Sequence, residues 1–378
     1  MRPHDRNSPT VDTPNITLIL FAGGGGPSPA EQLLVTARQA AGRDLLDCTA
    51  RVPGIGRRIV VTDDPEWGAT LADQDVTLDV DRPGPGAFHF GRRLAEVLER
   101  HAVERALVMG AGSAPLLTPE ALAEALAPLA GDAPAVVTNN LHSSDWAAFA
   151  PAAPVAALAG RLHRDNALGW VLSHDAGYAP HVPARAAATQ FDLDTPADLA
   201  LLARHPAAGP HTRAAAQAAG VGHIPVEAAL AVLRQEGRQV LLAGRVSSAV
   251  WAQVEARTQV WARVFAEERG MAASGRLARG EVRSALGLLL DALGPAAFWA
   301  RLAEMADLVI MDSRVLLARA GDWLPAGERY ASDMGRLDWI EDPAWREFTA
   351  QALAVRIPVL LGGHSLVSGG ILALLEML

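Results

Sequence analysis

The stretch ITLILFAGGGGPSP, from Ile16 to Pro29, joins an apolar run to four consecutive glycines, and a helical apolar pattern follows from Glu31 to Ala41. We interpret it as a strand, a loop and a helix. Glycine permits positive φ and leaves backbone amides uncovered, and the amino end of a helix attracts anions. The segment is therefore a candidate phosphate-binding loop, or else a tight turn of an ordinary α/β domain. The residues of this loop are Gly23, Gly24, Gly25 and Gly26.

The same alternation of strand and helix continues through the first half of the chain. Further predicted strands are Arg58–Thr62, Val76–Val80, Arg105–Met109 and Ala135–Thr138. Helical patterns separate most of them, which predicts an α/β fold with a mostly parallel, Rossmann-like sheet and helices on both faces. Ligands of such sheets bind beyond the carboxyl ends of the strands. Two polar loops that follow predicted strands, Gly110–Ser113 and Asn139 with Asn140, are therefore candidate ligand contacts.

Composition limits the classes of function. The chain has 378 residues, half of them hydrophobic, which suggests about two domains with large cores. A net charge of −9 argues against general binding to nucleic acid or to anionic membranes. A single cysteine, Cys48, excludes disulfides within the chain and thiolate metal clusters. Residues 1–14 are polar without an apolar signal core, so we expect a disordered tail and a cytoplasmic protein.

Arginine is the only strongly basic residue type, because the sequence contains no lysine. This composition is typical of a GC-rich genome. It also has a chemical consequence, since no lysine can serve as a Schiff base, a general base or a phosphate-binding point charge.

The phrase FDLDTPADLALL, Phe191–Leu202, has the pattern of a helix start. Thr195 or Asp194 can cap a helix that begins at Pro196, and Asp198 in the first turn suits the helix dipole. Capping leaves Asp192 unexplained. Side chains two apart on an extended segment point to the same side, so Asp192 and Asp194 are candidate ligands for a hard cation such as Mg²⁺.

Three segments, taken in chain order, resemble the nucleotidyltransferase family. They are the glycine loop, the phrase PLLTPE at Pro115–Glu120 and the phrase DLDTPADL at Asp192–Leu199. The likeness covers about residues 16–204 and is greatest to the branches that transfer a nucleotide to molybdopterin or phospholactate. It implies a nucleotide-diphospho-sugar transferase fold. It further implies that the glycine loop contacts a nucleoside triphosphate, that Asp192 and Asp194 hold a catalytic Mg²⁺, and that the acceptor is a small phosphorylated molecule.

The chain departs from the family pattern in two places. The family normally has an Asp two residues before the proline of the middle phrase, at the position of Ser113, and a hydroxyl is a poor replacement for a carboxylate on Mg²⁺. The glycine loop also lacks following basic residues, since Arg38 is the first. Either arginines from elsewhere, such as Arg57, Arg92 or Arg93, clamp the phosphates, or the domain binds a nucleotide without catalysis.

The second half predicts another, smaller α/β domain. We expect a nucleotidyltransferase-like domain over residues 15–209 and a second domain over 210–378. Predicted strands lie within Arg238–Gly244, Asp307–Asp312 and Ile357–Leu361. Ser247 or Ser248 caps a helix after the first of these strands. One helical pattern continues through Arg269, and another runs from Glu281 to Leu293.

Three strand ends of this half carry Arg245, Asp312 and His364. If the strands are parallel, these residues share one edge and form a second ligand site. Gly363 and His364, with Arg245, are candidate contacts to an anion, with a structural glycine loop as one alternative. A hydrolytic Ser/His/Asp arrangement is another alternative, although no nucleophile-elbow sequence is present.

The sequence leaves three functional hypotheses. The first is a divergent nucleotidyltransferase that uses Mg²⁺ and a nucleoside triphosphate, with Asp192, Asp194 and Ser113 at the catalytic centre. The second is a catalytically silent protein that binds a nucleotide or nucleotide sugar and regulates a partner. The third places the chemistry around Arg245, Asp312 and His364. The nucleobase, the acceptor and the oligomeric state are left open.

Overall fold

The computed structural model describes residues 15–81, 88–272, 274–319 and 323–378, which form two compact units. The first unit contains the chain up to Phe21, Leu46–Met109 and Pro119–Pro183. The second contains Ala22–Leu45, Gly110–Thr118 and Ala184–Leu378. The expected disordered tail lies outside the described residues, and the domain limits at 209 and 210 stay a prediction.

The first unit is built on a seven-stranded sheet with the strand order β3-β2-β1-β4-β6-β5-β7. Its strands are β1 Ile16–Ala22, β2 Ile55–Thr62, β3 Thr77–Val80, β4 Ala106–Gly110, β5 Ala135–Thr138, β6 Trp146–Ala150 and β7 Ala179–His181. The start of β1 bonds to residues just before β2 and β4, as Ile16 N–H donates to Gly54 O and Thr17 N–H to Arg105 O, which is the pattern of parallel strands. Only β6 is antiparallel to its neighbours, β4 and β5, within this mostly parallel sheet.

Six α-helices are described between residues 15 and 183, and α1 among them lies mostly in the second unit. They are α1 Pro29–Thr49, α2 Pro65–Ala69, α3 Phe90–Arg100, α4 Pro119–Leu126, α5 Val155–Leu158 and α6 Leu168–Ala176. The apolar spacing of α3 places Leu94, Val97 and Leu98 against the β-branched residues of the sheet, such as Ile59 and Val61. The predicted α/β class with a mostly parallel sheet is confirmed.

The second unit contains a four-stranded parallel sheet with the order β11-β10-β8-β9. Its strands are β8 Gln239–Gly244, β9 Trp261–Ala266, β10 Leu308–Asp312 and β11 Val359–Gly362. Alternate residues face two separate buried clusters, one with Leu242, Ile310 and Leu360 and the other with Leu241, Val309 and Leu361. This smaller sheet is therefore covered on both faces, as parallel sheets are.

Ten further α-helices follow α6 in the described part of the chain. They are α7 Ala187–Gln190, α8 Pro196–Leu202, α9 Pro210–Ala218, α10 Val226–Leu233, α11 Ser248–Arg257, α12 Ala285–Met305, α13 Arg314–Ala318, α14 Ala326–Asp333, α15 Pro343–Ala354 and α16 Ile371–Glu376. Ser247 caps α11 by accepting from Val250 N–H at 3.3 Å, as predicted.

The prediction of a helix through Arg269 is wrong. Helix α11 ends at Arg257 because Thr258 is extended, and the next residues pair in parallel with β8 as the edge strand β9. This segment contains β-branched and aromatic residues, which favour strands: Val260, Trp261, Val264 and Phe265. Pairing with β8 makes the segment a strand rather than a helix.

Helix α12 is longer than predicted and is broken at Gly294, which has φ +72°, next to Pro295. Counted across this break, α12 is the one helix among the described residues that is long and apolar enough to cross a membrane, a test that core helices also pass. Phe298, Trp299 and Leu302 of α12 are buried in the second unit's core.

A buried ion pair joins α13 to α14. Arg314 donates from Nη1 to Asp333 Oδ1 at 2.7 Å and from Nη2 to Oδ2, and the two side chains are 4% and 0% exposed. Removing one partner of such a pair leaves the other as an unpaired charge buried away from water, which is strongly destabilising. Removing both partners leaves no such charge.

We expect Arg314→Met to lower the free energy of unfolding by about 3–5 kcal/mol and Arg314→Met with Asp333→Leu to restore much of the loss. Urea denaturation measures both. The exposed pair Arg301–Glu304 supplies the control, since Arg301→Met should lower the free energy of unfolding far less than Arg314→Met does. Equal costs for the buried and the exposed single variants would contradict this assignment.

Candidate functional site

Two sequence phrases that lie far apart in the chain are paired in the second unit. Ser113 and Asp192 form an isolated antiparallel bridge. Ala114 N–H donates to Phe191 O at 3.1 Å, and Leu193 N–H donates to Gly112 O at 2.9 Å. We call Asp192–Leu199 the acidic phrase. Ser113 stands where the family pattern has an Asp, and the backbone pairing holds it directly beside Asp192, the first carboxylate of that phrase.

The backbone next to this pairing is constrained. A Cβ at Gly112 would lie 3.1 Å from both Leu193 O and Arg38 Cγ, so glycine allows the close approach. Ala114 has φ +48°, a left-handed conformation that is uncommon for a residue with a side chain. Such local strain is typical of segments that the surrounding structure holds for a purpose.

Arg38 of α1 supports the acidic phrase from one side. Its Nε donates to Leu193 O at 2.9 Å, and Nη2 donates to Asp194 O at 3.3 Å. Nη2 also lies 3.6 Å from Asp194 Oδ1, and the Asp194 side chain is 48% exposed. Arg38 thus fixes the backbone of the phrase and leaves the carboxylate of Asp194 facing solvent.

Thr195 is the N-cap of α8, one of the two caps predicted, and Asp198 in the first turn completes a capping box with it. Its Oδ2 accepts from Asp194 N–H at 3.1 Å, and from Thr195 N–H and Oγ1–H at 2.8 Å each. Burial, and then the nearby charge of Asp194, raise the pKa of Asp198 to about 8. The capping box therefore contains a carboxyl group that is protonated at neutral pH.

The loop after β11 lies on the other side of the acidic phrase. Ser365 Oγ donates to Asp192 O at 2.5 Å and accepts from Asp192 N–H at 3.1 Å. A Cβ at Gly363 would lie 3.2 Å from Thr195 Cγ2. The glycine-rich loop of the C-terminal half is therefore packed against the acidic phrase, a contact that the sequence analysis missed.

Arg245 and Asp312 form a bidentate ion pair at the carboxyl edge of the smaller sheet. Nε donates to Oδ2 at 2.5 Å and Nη2 donates to Oδ1 at 3.1 Å. Asp312 is fully buried, and although burial alone would raise its pKa, the charge of Arg245 and its hydrogen bond hold that pKa below the usual range. The predicted shared edge of Arg245 and Asp312 is thus present.

His364 is within electrostatic reach of both groups of charges. Burial and then the charge of Arg245 lower the pKa of His364 to about 4, and the carboxylates of Asp312 and Asp194 act in the opposite direction. Its imidazole is therefore neutral at pH 7. The candidate C-terminal site and the acidic phrase belong to one region of the second unit.

Two more arginines contribute positive charge here. Partial burial, and then the guanidinium groups of Arg185 and Arg245, lower the pKa of Arg269. Within the described parts of the chain, neither Arg185 nor Arg269 forms an ion pair with a carboxylate. These residues were missed because charge alone does not distinguish them from other arginines in a sequence that contains many.

Of the described residues, Ser365, which adjoins His364 in the sequence, is not placed as the nucleophile of a hydrolytic triad. Ser365 donates its hydroxyl hydrogen to Asp192 O, so that hydrogen is not directed at His364. The Asp312 carboxylate accepts from Arg245 and from Arg314 N–H.

The glycine loop also belongs to the second unit, and its end is occupied by an acidic side chain. Ser28 Oγ donates to Glu31 Oε2 at 2.7 Å, and Glu31 N–H donates to Ser28 Oγ at 3.3 Å, which makes a capping box at the start of α1. A Cβ at Gly26 would overlap the Glu31 carboxylate. Gly23, Gly24 and Gly25 are exposed, and the role of the loop in nucleotide binding stays a prediction.

Asn139 and Asn140 lie in the first unit, directly after β5. Asn139 Nδ2 donates to Asp145 Oδ2 at 2.6 Å, and Asn140 Oδ1 accepts from His142 N–H at 3.1 Å. These bonds organise a turn, and the ligand contacts of both residues stay a prediction.

Two of the arginines considered as phosphate clamps have structural contacts in the same unit. Arg93 pairs with Asp79 at 2.8 Å and with Asp81 at 2.5 Å. Arg57 donates to His101 O at 2.7 Å. The positive charge in contact with Asp194 comes instead from Arg38, and Arg245 contacts Asp312.

No protein-family model matches the sequence, and no curated protein matches it. Solved structures do. A cytidylyltransferase from Leptospira borgpetersenii is 10% identical over 46% of this chain and 77% of its own, with a TM-score of 0.36. CMP:2-keto-3-deoxy-manno-octonic acid synthetase complexed with CTP is 14% identical over 49% of this chain and 95% of its own, with a TM-score of 0.35. A nucleotidyl transferase from Methanothermobacter is 18% identical over 44% of this chain and 88% of its own, with a TM-score of 0.34.

The resemblance to nucleotidyltransferases that the sequence suggested is therefore found again among solved structures, over about half of the chain in its N-terminal region. Identity is low throughout. Because these TM-scores are below 0.5, the likeness assigns neither a substrate nor a reaction to this chain.

The capping carboxyl of Asp198 predicts a pH dependence of stability. An Asp side chain in the unfolded chain ionises near pH 4, whereas the pKa of this folded carboxyl is about 8. The stability that the protonated carboxyl contributes is therefore complete below pH 4 and is lost as the pH rises through 8. Asp198→Asn removes the titrating group. We expect urea denaturation between pH 5 and pH 8 to show a smaller loss of stability with rising pH in this variant than in the wild type.

The exposed residue Asp338 provides the matched control, because Asp338→Asn should leave the pH profile between 5 and 8 unchanged. An Asp198→Asn profile that runs parallel to the wild-type profile over this range would refute the protonated cap.

Proposed function

We propose that this chain binds a nucleoside triphosphate with Mg²⁺ beside Asp192 and Asp194 and transfers the nucleotide to a small phosphorylated acceptor. The observation that carries the proposal is the backbone pairing of Ser113 with Asp192. It joins the two phrases that the family resemblance singles out; Arg38 of α1 bonds to the acidic phrase, and Arg245, in the loop after β8, pairs with Asp312. The site thus combines acidic oxygen atoms with guanidinium groups, the combination that a metal-bound triphosphate requires.

The residues fit a magnesium ion. Asp192 and Asp194 alternate on an extended segment, so both side chains leave it on the same side. The Asp194 carboxylate is half exposed, and Ser113 adds a hydroxyl oxygen beside Asp192. Oxygen ligands of this kind suit Mg²⁺, which when bound would neutralise phosphate charge.

The proposed reaction is a displacement at the α-phosphorus. A phosphate oxygen of the acceptor forms the new bond, the bond from the α-phosphorus to the bridging oxygen breaks, and pyrophosphate leaves with that electron pair. Arg245 is held by Asp312 and supplies positive charge that needs no rearrangement during the reaction. His364 is neutral at pH 7 and can accept a hydrogen bond from a ligand hydroxyl.

A second candidate is a catalytically silent protein that binds a nucleotide or nucleotide sugar and regulates a partner. Two observations favour it. Ser113 is neutral at the position where the family pattern has a carboxylate, and the Glu31 carboxylate lies against Gly26, where it repels phosphate. Pyrophosphate release in the presence of phosphorylated acids separates transfer from silent binding.

The third hypothesis, chemistry centred on Arg245, Asp312 and His364, concerns the same region. We propose that these residues hold an anionic part of the ligand, while the acidic phrase holds the metal. The net charge and the composition support a cytoplasmic enzyme of small molecules, without nucleic-acid or membrane partners.

Thermal unfolding with each of the four nucleoside triphosphates, including CTP, tests metal-dependent binding. At a ligand concentration 100-fold above the dissociation constant, binding adds about 2.7 kcal/mol of stability. We expect this gain to require Mg²⁺ and to disappear in Asp192→Ala and Asp194→Ala. Asp338→Ala, at an exposed acidic residue outside the site, should keep the gain. Stabilisation independent of Mg²⁺ would favour the silent protein, and the absence of any stabilisation would reject both functions.

Ser113→Asp tests the proposed metal position directly. The side chain of Ser113 is buried beside Asp192, so an added carboxylate repels its neighbour when no metal is bound and attracts Mg²⁺ when it is present. We expect a lower unfolding temperature without Mg²⁺ and a larger Mg²⁺-dependent rise than in the wild type. Ser113→Asn supplies a neutral control of similar size. An Mg²⁺-dependent rise no larger in Ser113→Asp than in Ser113→Asn would argue against a metal at this position.

A further inference from the structure

The second unit contains a cavity of about 360 Å³ that belongs to no part of the candidate site. It lies where the carboxyl ends of α14 and α15 meet the turn before α10 and the segment that enters β11. This volume is within the range of small-molecule pockets. The cavity opens at the amino end of β11, whereas His364 follows the carboxyl end of the same strand.

Most of the cavity wall is apolar. Ile224, Met334, Ile357 and Val359 line it, together with Leu353, whose side chain is 59% exposed. An exposed leucine at the mouth of an apolar cavity leaves hydrocarbon surface that a ligand would remove from water, which is favourable.

The buried polar groups of the wall are already satisfied by the protein. Asp333 is paired with Arg314, as described above. Ser332 and Thr349 share a hydrogen bond of 2.7 Å, and Thr349 donates to Trp345 O at 2.8 Å. These groups give the cavity no unmet charge.

His223 is also engaged. Its Nδ1 lies 2.9 Å from Gly220 O and its Nε2 lies 2.5 Å from Met334 O. Both ring nitrogens thus face backbone carbonyls, and the imidazole is not available to bind a ligand through them.

Arg356 is the remaining charged residue of the wall. It is exposed just after the end of α15 and, among the residues that the structure describes, it forms no ion pair. A guanidinium beside an apolar cavity recognises a carboxylate or a similar anion through charge-assisted hydrogen bonds.

We propose that this cavity binds a small molecule with an apolar body and one anionic head group, the body in the cavity and the head group on Arg356. The apolar wall provides most of the affinity, and the arginine selects anions over neutral molecules of the same shape. The proposal is independent of nucleotide binding at the acidic phrase.

Isothermal titration of the full chain with octanoate and with 1-octanol tests the proposal, because the two probes share an apolar tail and differ in charge. We expect octanoate to bind at least tenfold more tightly than 1-octanol. Arg356→Ala should remove this preference by weakening octanoate about tenfold, while 1-octanol binding stays unchanged. Ala228→Trp should abolish binding of both, since Ala228 is an exposed residue of the cavity wall.

Ala231→Trp, an exposed position of the same helix that does not line the cavity, is the matched control and should bind octanoate like the wild type. Unchanged unfolding temperatures show that the variants fold. The proposal is overturned if octanoate does not bind, if it binds no better than 1-octanol, or if Ala228→Trp binds it as well as Ala231→Trp does.

Discussion

The buried carboxylate of Asp312 is the constraint on which the candidate site depends. A charge without access to water has to be paired, and Asp312 is paired by Arg245 and by the backbone of Arg314. Arg314 in turn pairs with Asp333 on α14. The close approach requires glycine at position 244, which has φ +112° and where a Cβ would lie 2.5 Å from that of Asp312. One buried acid thus fixes the loops after β8 and β10 at the edge where the ligand is proposed to bind.

The second unit shows how residues from distant parts of the chain form one site. Helix α1 contributes Arg38, the middle phrase contributes Ser113, and the acidic phrase contributes Asp192 and Asp194. The loop after β11 secures the acidic phrase through Ser365, which bonds to both the N–H and the carbonyl of Asp192. The C-terminal half is therefore a structural part of the region that the family resemblance assigns to the N-terminal half. The three functional hypotheses accordingly concern neighbouring residues.

Sequence patterns predicted the features that depend on residues close together in the chain. The apolar run of β1, the helix start at Pro196 and the Ser247 cap follow from residues close in sequence, and these predictions are confirmed. The strand β9 was missed because its conformation depends on pairing with β8. The contacts of Arg38 with Leu193 and of Ser365 with Asp192 span more than 150 residues, and no periodicity reveals them. Ligand roles for the glycine loop, Asn139 and Asn140 stay predictions, since their geometry alone does not select a ligand.

The absence of lysine has a consequence for how the site responds to proton concentration. Guanidinium groups keep their charge at every pH at which proteins are ordinarily handled, and the neutral form of His364 already dominates above about pH 5. The positive field at the site is therefore constant from mildly acidic to alkaline solution. A phosphate ligand, by contrast, acquires its second negative charge near pH 6. Affinity that rises through this interval would report ionisation of the ligand, while a change near pH 8 would report Asp198, so the two titrations separate along the pH axis.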